Sequence, residues 1–256
     1  MSSFQSIGFV GAGRVATHLA RAFSAAGLNI EWIWSRSKDS AERLASEVHA
    51  RAYTGNGQFP RNTGLIIFSI PDLAWKDLPA ALENHGGIMA HTSGSLPHEV
   101  LKSFTKKTAV FYPLQTFSLD TKPSLHQVPF CIESDDELLK ERLASLAELI
   151  GGRTVFTNPQ QRLGLHVAAV FACNFTNHMY RIAEELLPAA GLDFSLLHPL
   201  VMETASKAVN YLPSKVQTGP AMRNDEETIN RHLEYLKDHE DLRNLYSLLS
   251  GMIMSK

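Results

Sequence analysis

Short apolar runs alternate with segments of helical apolar spacing over the first 156 residues. The segment after Gly13 places Val15, Leu19 and Phe23 on one helix face. The apolar run at 65–70 lacks that period and is typical of a strand buried on both faces of a parallel sheet. The pattern predicts helices at 14–26, 40–48 and 135–150, and strands at 7–10, 29–34, 65–70, 87–91, 109–112, 129–132 and 153–156.

The second part of the chain has a different pattern, because no strand is predicted from Asn158 onward. The first helix predicted in this part, at 163–187, could alternatively be broken near Asn174. Strands that alternate with helices are typical of a doubly wound parallel sheet. We therefore predict an α/β protein with a doubly wound Rossmann domain at 1–158 and an all-α domain at 159–256. Helical spacing in the second domain predicts helices at 163–187, 195–208, 225–237 and 241–254.

A glycine-rich turn joins the first predicted strand to the first predicted helix. In such GxGxxA turns the first glycine permits a tight bend, and the second lets a pyrophosphate approach the backbone. The helix that follows offers free N–H groups to phosphates. The motif predicts a dinucleotide site, with a tight turn that holds no ligand as the alternative. The residues concerned are Gly11, Ala12, Gly13, Arg14 and Val15, and Ala16 completes the motif.

The end of the second predicted strand distinguishes NADP from NAD. An NAD site usually has an acidic residue there, which holds the ribose 2′-hydroxyl. This chain has Ser35, Arg36 and Ser37 instead, and its nearest acidic residue, Glu31, comes too early. A planar guanidinium and two hydroxyls suit a 2′-phosphate. We therefore predict NADP(H), with a solvated surface arginine as the alternative interpretation of Arg36.

Small and polar residues follow the later strands, at the edge where doubly wound sheets bind ligands. Ile70 and Pro71 are expected to form apolar walls beside the cofactor. Thr92 and Ser93 are expected near the nicotinamide, and Gln115-Thr116 could face a substrate. Turn chemistry is an equally good explanation for these loops, because serine and glycine end strands in any case.

The composition argues against several classes of partner and site. The formal net charge is −2 and the pI about 6.6, whereas nucleic acid and anionic membranes attract a basic excess. The cysteines, Cys131 and Cys173, form no CxxC pair and the eleven histidines no HExxH pattern, so we predict no metal. We expect no signal peptide and no membrane span, and two isolated cysteines fit a reducing compartment. These features predict a cytoplasmic protein.

Several motifs together resemble those of one family over nearly the whole chain. The motifs are residues 7–16, 35–37, 91–95, 113–117, 172–178, 190–193 and 218–220. They are similar to those of the Rossmann-like proteins that carry a DUF2520 C-terminal domain. The resemblance implies an NADP oxidoreductase but identifies no substrate. Tyr112 stands where relatives often have histidine, which weakens the case for a catalytic role at that position.

The family is similar in layout to pyrroline-5-carboxylate reductases, prephenate dehydrogenases and 3-hydroxyacid dehydrogenases. All place a helical domain, which often dimerises, after a Rossmann domain, so the layout implies a homodimer through the C-terminal helices. The layout does not transfer an activity, because one fold serves many reactions. The hydroxyacid enzymes use a lysine on the long helix after the Rossmann domain, where this chain has His166.

The long helix of the second domain carries the candidate catalytic residues. His166 and Asn177 fall on one stripe of a regular α-helix, and Asn174 lies at its edge. Histidine is the side chain that exchanges a proton near neutral pH, so His166 is a candidate general acid or base. Either asparagine could hold a substrate carbonyl, imine or carboxylate. A buried polar network, or a dimer contact, is the alternative.

These observations predict an oxidoreductase that transfers a hydride between NADP(H) and a small carbonyl, imine or hydroxy-acid substrate. The alternative is a non-catalytic NADP(H)-binding sensor or regulatory dimer. An enzyme needs the face with His166 and Asn177 open to the nicotinamide, whereas a sensor would bury it. Glu203 and Lys207 have the spacing of an ordinary helix-surface pair, although Lys207 could reach the site if its helix faces a partner.

Overall fold

The computed structural model describes residues 4–56, 59–83, 85–119, 121 and 124–255. The chain divides into two compact units, Met1–His178 and Met179–Lys256. The first unit contains the sheet, and the described part of the second contains helices only. The division lies beyond the predicted boundary at Asn158, and the assignment of separate roles to two domains stays a prediction.

One eight-stranded sheet forms the centre of the first unit. Its order is β3-β2-β1-β4-β5-β6-β7-β8, which puts the switch point of a doubly wound sheet beside the first strand. The predicted fold class, a Rossmann sheet followed by helices, is confirmed. The strands are β1 Ile7–Val10, β2 Ile30–Trp34, β3 Arg51–Tyr53, β4 Leu65–Phe68, β5 Ile88–His91, β6 Thr108–Pro113, β7 Pro129–Glu133 and β8 Arg153–Phe156.

Two features of the sheet lie outside the sequence prediction. The edge strand β3 is three residues long and mostly exposed. Three residues are too few to show the alternation of apolar and polar positions that predicts a strand. Strand β7 runs antiparallel to β6, with Phe111 paired to Ile132, whereas the expected sheet is parallel. An antiparallel neighbour needs no crossover helix, and the described part of the β6–β7 connection contains none.

The two faces of the sheet are covered differently. Phe9 and Ile67 join a core cluster with residues of three helices, whereas their neighbours Val10 and Phe68 join a second cluster on the opposite face. Three 3₁₀ turns, Asp72–Asp77, Ala80–Leu82 and His98–Leu101, take the place of long helices in the connections on that second face. The helices of the first face are α1 Arg14–Ala25, α2 Lys38–Glu47 and α3 Glu137–Leu149.

A helical segment with a widened centre follows β8. Helix α4, Pro159–Ala169, starts at a capping box formed by Asn158 and Gln161. A π turn spans Val170–Phe175, and α5 continues from Thr176 to Leu186. The helix predicted at 163–187 is therefore present, but a π turn holds more residues than an α turn and rotates the positions beyond it.

The described helices of the second unit carry many large apolar side chains on their surface. The predicted helices at 195–208, 225–237 and 241–254 are present with shifted ends. Val209 is 85% exposed and Met202 70% exposed, both in α6. After the end of α5, the α-helices of this unit are α6 His198–Asn210, α7 Pro213–Val216, α8 Glu226–Tyr235 and α9 Glu240–Met254.

Candidate active site

The glycine turn after β1 has the geometry that a dinucleotide needs. Gly11 has φ +111°, and a Cβ there would lie 2.3 Å from the carbonyl oxygen of Ser69. A Cβ on Gly13 would meet no protein atom within 4 Å, so the space beside the Cα of this residue is open. Ala16 is fully buried where α1 packs on the sheet. The turn therefore fits a bound pyrophosphate, with each small residue needed for a different reason.

A cleft of about 130 Å³ lies between the glycine turn and the ends of β2 and β4. The Ser37 hydroxyl is used otherwise, because it caps α2 by accepting a hydrogen bond from the N–H of Ser40 at 3.3 Å. The cleft thus brings together most of the residues predicted to bind the cofactor. They are Gly11, Ala12, Gly13, Ser35, Arg36, Ile70 and Pro71, joined by Trp34, Ser69 and Ala74.

A larger cavity of about 620 Å³ lies within the first unit, between the start of α1, the segment after β6, and α4 with its π turn. His166, Cys173 and Asn174 reach it from the helix, whereas Asn177 is not among its lining residues. Ser93 is also absent from the lining. The predicted residues that do line the cavity are Arg14, Val15, Thr92, Gln115, Thr116, His166 and Asn174.

Tyr112 and His166 both line this cavity and are in direct contact. The Tyr112 hydroxyl and Nδ1 of His166 are hydrogen-bonded at 3.0 Å, and the two rings meet edge to face. Burial raises the pKa of Tyr112 to about 12. The phenol therefore keeps its proton near pH 7. Sequence reasoning discounts Tyr112 as a departure from the family pattern, but its side chain contacts the candidate acid directly.

The loop after β5 combines turn chemistry with one cavity residue. Burial lowers the pKa of His91 to about 4, so this ring is neutral and accepts from the N–H of Ser93 at 3.2 Å. The Ser93 hydroxyl accepts from the N–H groups of Ser95 and Leu96, both at 3.1 Å. Ser93 therefore shapes the turn, whereas Thr92 lines the cavity. The cofactor role of both residues stays a prediction.

The described residues contain one group with the spacing of metal ligands, His98, Glu99 and Asp135. The ammonium of Lys102 lies 3.2 Å from Asp135 and 3.8 Å from Glu99, so these carboxylates already face a cation. The hydrogen bond that Lys102 donates to Asp135 is the main cause that lowers the pKa of the Asp135 carboxyl. The expectation of no metal stays a prediction.

Known proteins match the chain over both of its parts. A model for a domain of unknown function, DUF2520, matches residues 128–253, and a Rossmann-like domain model matches residues 2–116. A solved structure from Bacteroides fragilis, described as a putative NADP oxidoreductase, is 37% identical and covers 98% of each chain with a TM-score of 0.92. The chain belongs to the DUF2520 family of Rossmann-like proteins. The resemblance inferred from its motifs is thereby confirmed.

Other solved structures share the fold of this DUF2520 protein at lower identity. A protein from Thermotoga maritima is 23% identical with a TM-score of 0.74, over 96% of this chain and 99% of that one. An imine reductase from Myxococcus stipitatus, in complex with NADP⁺, is 14% identical with a TM-score of 0.65, over 98% and 92%. No protein with a curated function matches the chain. None of the described helices is long and apolar enough to cross a membrane.

Two arginines near the sites of this DUF2520 protein escape sequence reasoning. Arg43 of α2 donates to the carbonyl oxygen of Ala12 at 3.3 Å and to Glu47 at 3.2 Å, so it supports the glycine turn. Arg162 of α4 is fully buried and forms an ion pair with Glu133 of β7 at 2.8 Å. Each looks like a solvated helix residue in the sequence, because Ala12 and Glu133 are distant from these arginines along the chain.

Proposed function

We propose that the protein is an NADP(H)-dependent oxidoreductase that transfers a hydride to or from a small carbonyl, imine or hydroxy-acid substrate. The hydrogen bond between Tyr112 and His166 carries the proposal, because it lies at a cavity that also contacts Arg14 and Val15 of the glycine turn. A proton donor beside a nucleotide cradle is what reduction of a C=O or C=N bond requires. The similarity to an NADP oxidoreductase structure supports the reaction class.

NADP(H) is the cofactor that the cleft residues fit. The open backbone at Gly13 would take the pyrophosphate at the N-terminus of α1. The guanidinium of Arg36 and the hydroxyl of Ser35 would hold the 2′-phosphate, with Ile70 and Pro71 as apolar walls. When bound, the nicotinamide supplies or accepts the hydride.

His166 transfers the proton, and Tyr112 orients the imidazole ring of His166. With a pKa raised to about 12, Tyr112 is too weak an acid to give up its proton near pH 7. Since Nδ1 of His166 is engaged with the phenol, Nε2 is the nitrogen left for the substrate. In the reductive direction the protonated imidazole donates from Nε2 to the substrate oxygen or nitrogen and becomes neutral. In the oxidative direction Nε2 takes that proton back.

Amide groups at the same cavity would bind the substrate. Asn174 in the π turn and Gln115 after β6 both line it and offer one acceptor and two donors each. Arg14 is the one residue with a fixed charge in the described lining, so the lining has no carboxylate to attract a cationic substrate. A substrate role for Asn177, which lies on the helix beyond the lining, stays a prediction.

A non-catalytic NADP(H) sensor is the competing function. It predicts a buried His166 face, whereas His166 is half-buried and lines the cavity. The accessible ring favours the enzyme. The two functions differ in one result, since a sensor binds the nucleotide and turns over no substrate.

Nucleotide titration tests the cofactor. We expect NADPH to bind at least about tenfold more tightly than NADH, because a charge-assisted hydrogen bond contributes about 1.5–3 kcal/mol. In Arg36→Ala the NADPH affinity should fall toward that of NADH, measured by nicotinamide fluorescence. A screen of carbonyl and imine compounds, followed by the loss of nicotinamide absorbance, then tests for turnover.

Arg153→Ala is the matched control, because Arg153 is an exposed arginine on β8 outside the cleft lining. It should bind both nucleotides as the unmodified protein does. Equal affinities for NADPH and NADH in the unmodified protein would contradict the assignment of Arg36. If neither nucleotide binds, the glycine turn is architectural and the oxidoreductase proposal fails.

A homodimer through the helices of the second unit belongs to the same proposal. Large exposed apolar patches on a protein surface mark interaction sites. Leu200, Met202 and Val209 of α6 are each more than 60% exposed, and Leu248 and Met252 of α9 more than 50%. A second copy of the chain would cover apolar side chains of these helices, as the layout of the family implies.

We expect the purified protein to sediment as a dimer, and the double variant Met202→Lys with Val209→Lys to sediment as a monomer. Charges in an apolar interface would remain unpaired and desolvated, which costs more than the contact gains. Glu227→Gln with Glu234→Gln, on the exposed face of α8, changes the net charge equally and should leave the dimer intact. A dimer that survives the lysine variant would exclude this part of α6 from the interface.

A cytoplasmic location is the remaining part of the proposal. Cys131 and Cys173 are both free, the first buried and the second half-buried. Free thiols persist in reducing compartments.

A further inference from the structure

The buried ion pair between Arg162 and Glu133 has nearly complete hydrogen bonding. The side chains are 0% and 3% exposed. Arg162 donates to both Glu133 oxygens, from Nε at 2.8 Å and from Nη2 at 3.2 Å. Its Nη1 donates to the carbonyl oxygen of Ser93 at 2.9 Å, and Nη2 also donates to that of Leu96 at 2.7 Å. The Thr157 hydroxyl donates to Glu133 at 3.0 Å.

Stability alone is a weak reason for such a pair. Two charges taken out of water lose hydration that their attraction repays only in part, and apolar residues of similar volume often stabilise a protein equally well. What the pair adds is geometry, because a guanidinium with several donors in a rigid plane accepts few arrangements of its partners. The elements joined in this way are α4, β7 and the loop after β5.

Two of these elements, α4 and the loop after β5, meet at the ring of His166. Arg162 and His166 lie four residues apart on α4 and therefore on one face of it. The loop between Ser93 and Leu96 contains Gly94, where a Cβ would lie 2.6 Å from Cγ and Nδ1 of His166. The loop that Arg162 holds by two carbonyl oxygens is thus the loop that packs against the imidazole.

The same ion pair reaches the partner of His166. Strands β6 and β7 pair with Val110 opposite Glu133 and with Tyr112 opposite Cys131. Glu133 is two residues from Cys131 on β7, so the two side chains lie on the same face of the sheet. Since Cys131 is paired with Tyr112, the side chain of Tyr112 lies on that face too. Through Glu133 the helix that carries His166 is tied to the strand pair that carries Tyr112.

We propose that the Arg162–Glu133 ion pair is a positioning device, which sets α4 at the distance and rotation where His166 meets the Tyr112 hydroxyl beside the cavity. The two residues touch no substrate or cofactor in this proposal and act through His166. Its effect on turnover rests on the proposed function, whereas its effect on the geometry of His166 does not. The charge of Arg162 also acts to lower the pKa of Tyr112, against the larger effect of burial.

The double variant Arg162→Met with Glu133→Leu tests the proposal in the full-length protein. It removes both charges together, so neither remains buried without a partner. We expect a melting temperature close to that of the unmodified protein and an NADPH dissociation constant within about threefold. With any substrate that the screen identifies, kcat should fall at least about tenfold, because a small misplacement of a catalytic group costs rate.

A spectroscopic readout separates positioning from stability. In the ¹⁵N NMR spectrum of the histidine side chains, Nδ1 of His166 should carry a hydrogen-bonded signal that Tyr112→Phe removes. The double variant should lose the same signal while the amide spectrum stays folded. A double variant that keeps both the signal and the turnover overturns the proposal.

Lys140→Met with Glu137→Leu is the matched control, because it removes an ion pair on α3 and should alter neither the signal nor kcat. If the double variant does not fold, Glu133→Gln keeps the shape of the side chain and removes its charge, and it should weaken the same signal. An unchanged signal in folded Glu133→Gln overturns the proposal. Loss of the signal in a protein that reduces no substrate would support positioning and count against the oxidoreductase function.

Discussion

Replacing His166 with asparagine is expected to lower kcat for NADPH-dependent reduction by about 10²–10⁴-fold, the usual contribution of a positioned acid. Asparagine can still form a hydrogen bond with the Tyr112 hydroxyl but cannot give a proton to a substrate. The NADPH dissociation constant should stay within about twofold, because His166 lines the larger cavity and is absent from the lining of the cleft beside the glycine turn. Steady-state kinetics and nicotinamide fluorescence measure the two effects.

The second unit contains a matched control for this substitution. His232 of α8 is also hydrogen-bonded to a tyrosine hydroxyl, that of Tyr246, at 2.7 Å, and it is exposed. His232→Asn should leave kcat unchanged. Tyr112→Phe should lower kcat less than His166→Asn, because the phenol orients the acid without itself losing a proton. An unchanged kcat in His166→Asn would exclude His166 as the proton donor.

Alanine at the two glycines of the turn is expected to have different effects, although both variants should bind NADPH at least about 100-fold more weakly. At Gly13 a methyl group meets no protein atom but enters the space that a pyrophosphate needs, so the melting temperature should be unchanged. At Gly11 the methyl meets the Ser69 carbonyl oxygen at 2.3 Å in a left-handed conformation, with a backbone cost of about 1–3 kcal/mol. For a chain of this size, that lowers the melting temperature by several degrees, roughly 2–4 °C per kcal/mol.

Gly27→Ala controls for strain without proximity to the cofactor. Gly27 follows the end of α1 with φ +82°, and a Cβ there meets nothing within 4 Å. This variant should lower the melting temperature and leave NADPH binding intact. Thermal unfolding and fluorescence titration on the three variants separate strain from occlusion. Unmodified NADPH affinity in Gly13→Ala would mean that the turn does not hold the pyrophosphate.

Local patterns were sufficient to predict the elements and the cleft-lining residues that come from one stretch of chain. A buried strand, a GxG turn and a helix follow one another between Ile7 and Ala25, so their chemistry can be read without knowing what packs on them. The same holds for Ser35 and Arg36, because the end of β2 lies beside β1 in any doubly wound sheet. These residues do line one cleft.

Regular helical periodicity does not describe the long helix across its π turn. Regular α-helical spacing places Asn177 on the same helix face as His166. The π turn at Val170–Phe175 has more residues per turn than an α-helix, so it rotates the positions that follow it. Asn174 lines the cavity and Asn177 does not. A π turn has no distinct amino-acid composition, because its stability depends on contacts that neighbouring residues make with the wider turn. Such turns are frequent at functional sites.

The sequence by itself determined the Rossmann sheet, the glycine turn and the family, because each depends on neighbours within a few residues or on the regular order of a doubly wound sheet. Only the tertiary structure decided that Tyr112 meets His166, that Arg162 is buried against Glu133, and that β7 reverses direction. These contacts join residues far apart along the chain. An arginine on a helix or a tyrosine at a strand end has the same local pattern whether it is solvated or buried, and its partner alone makes the difference.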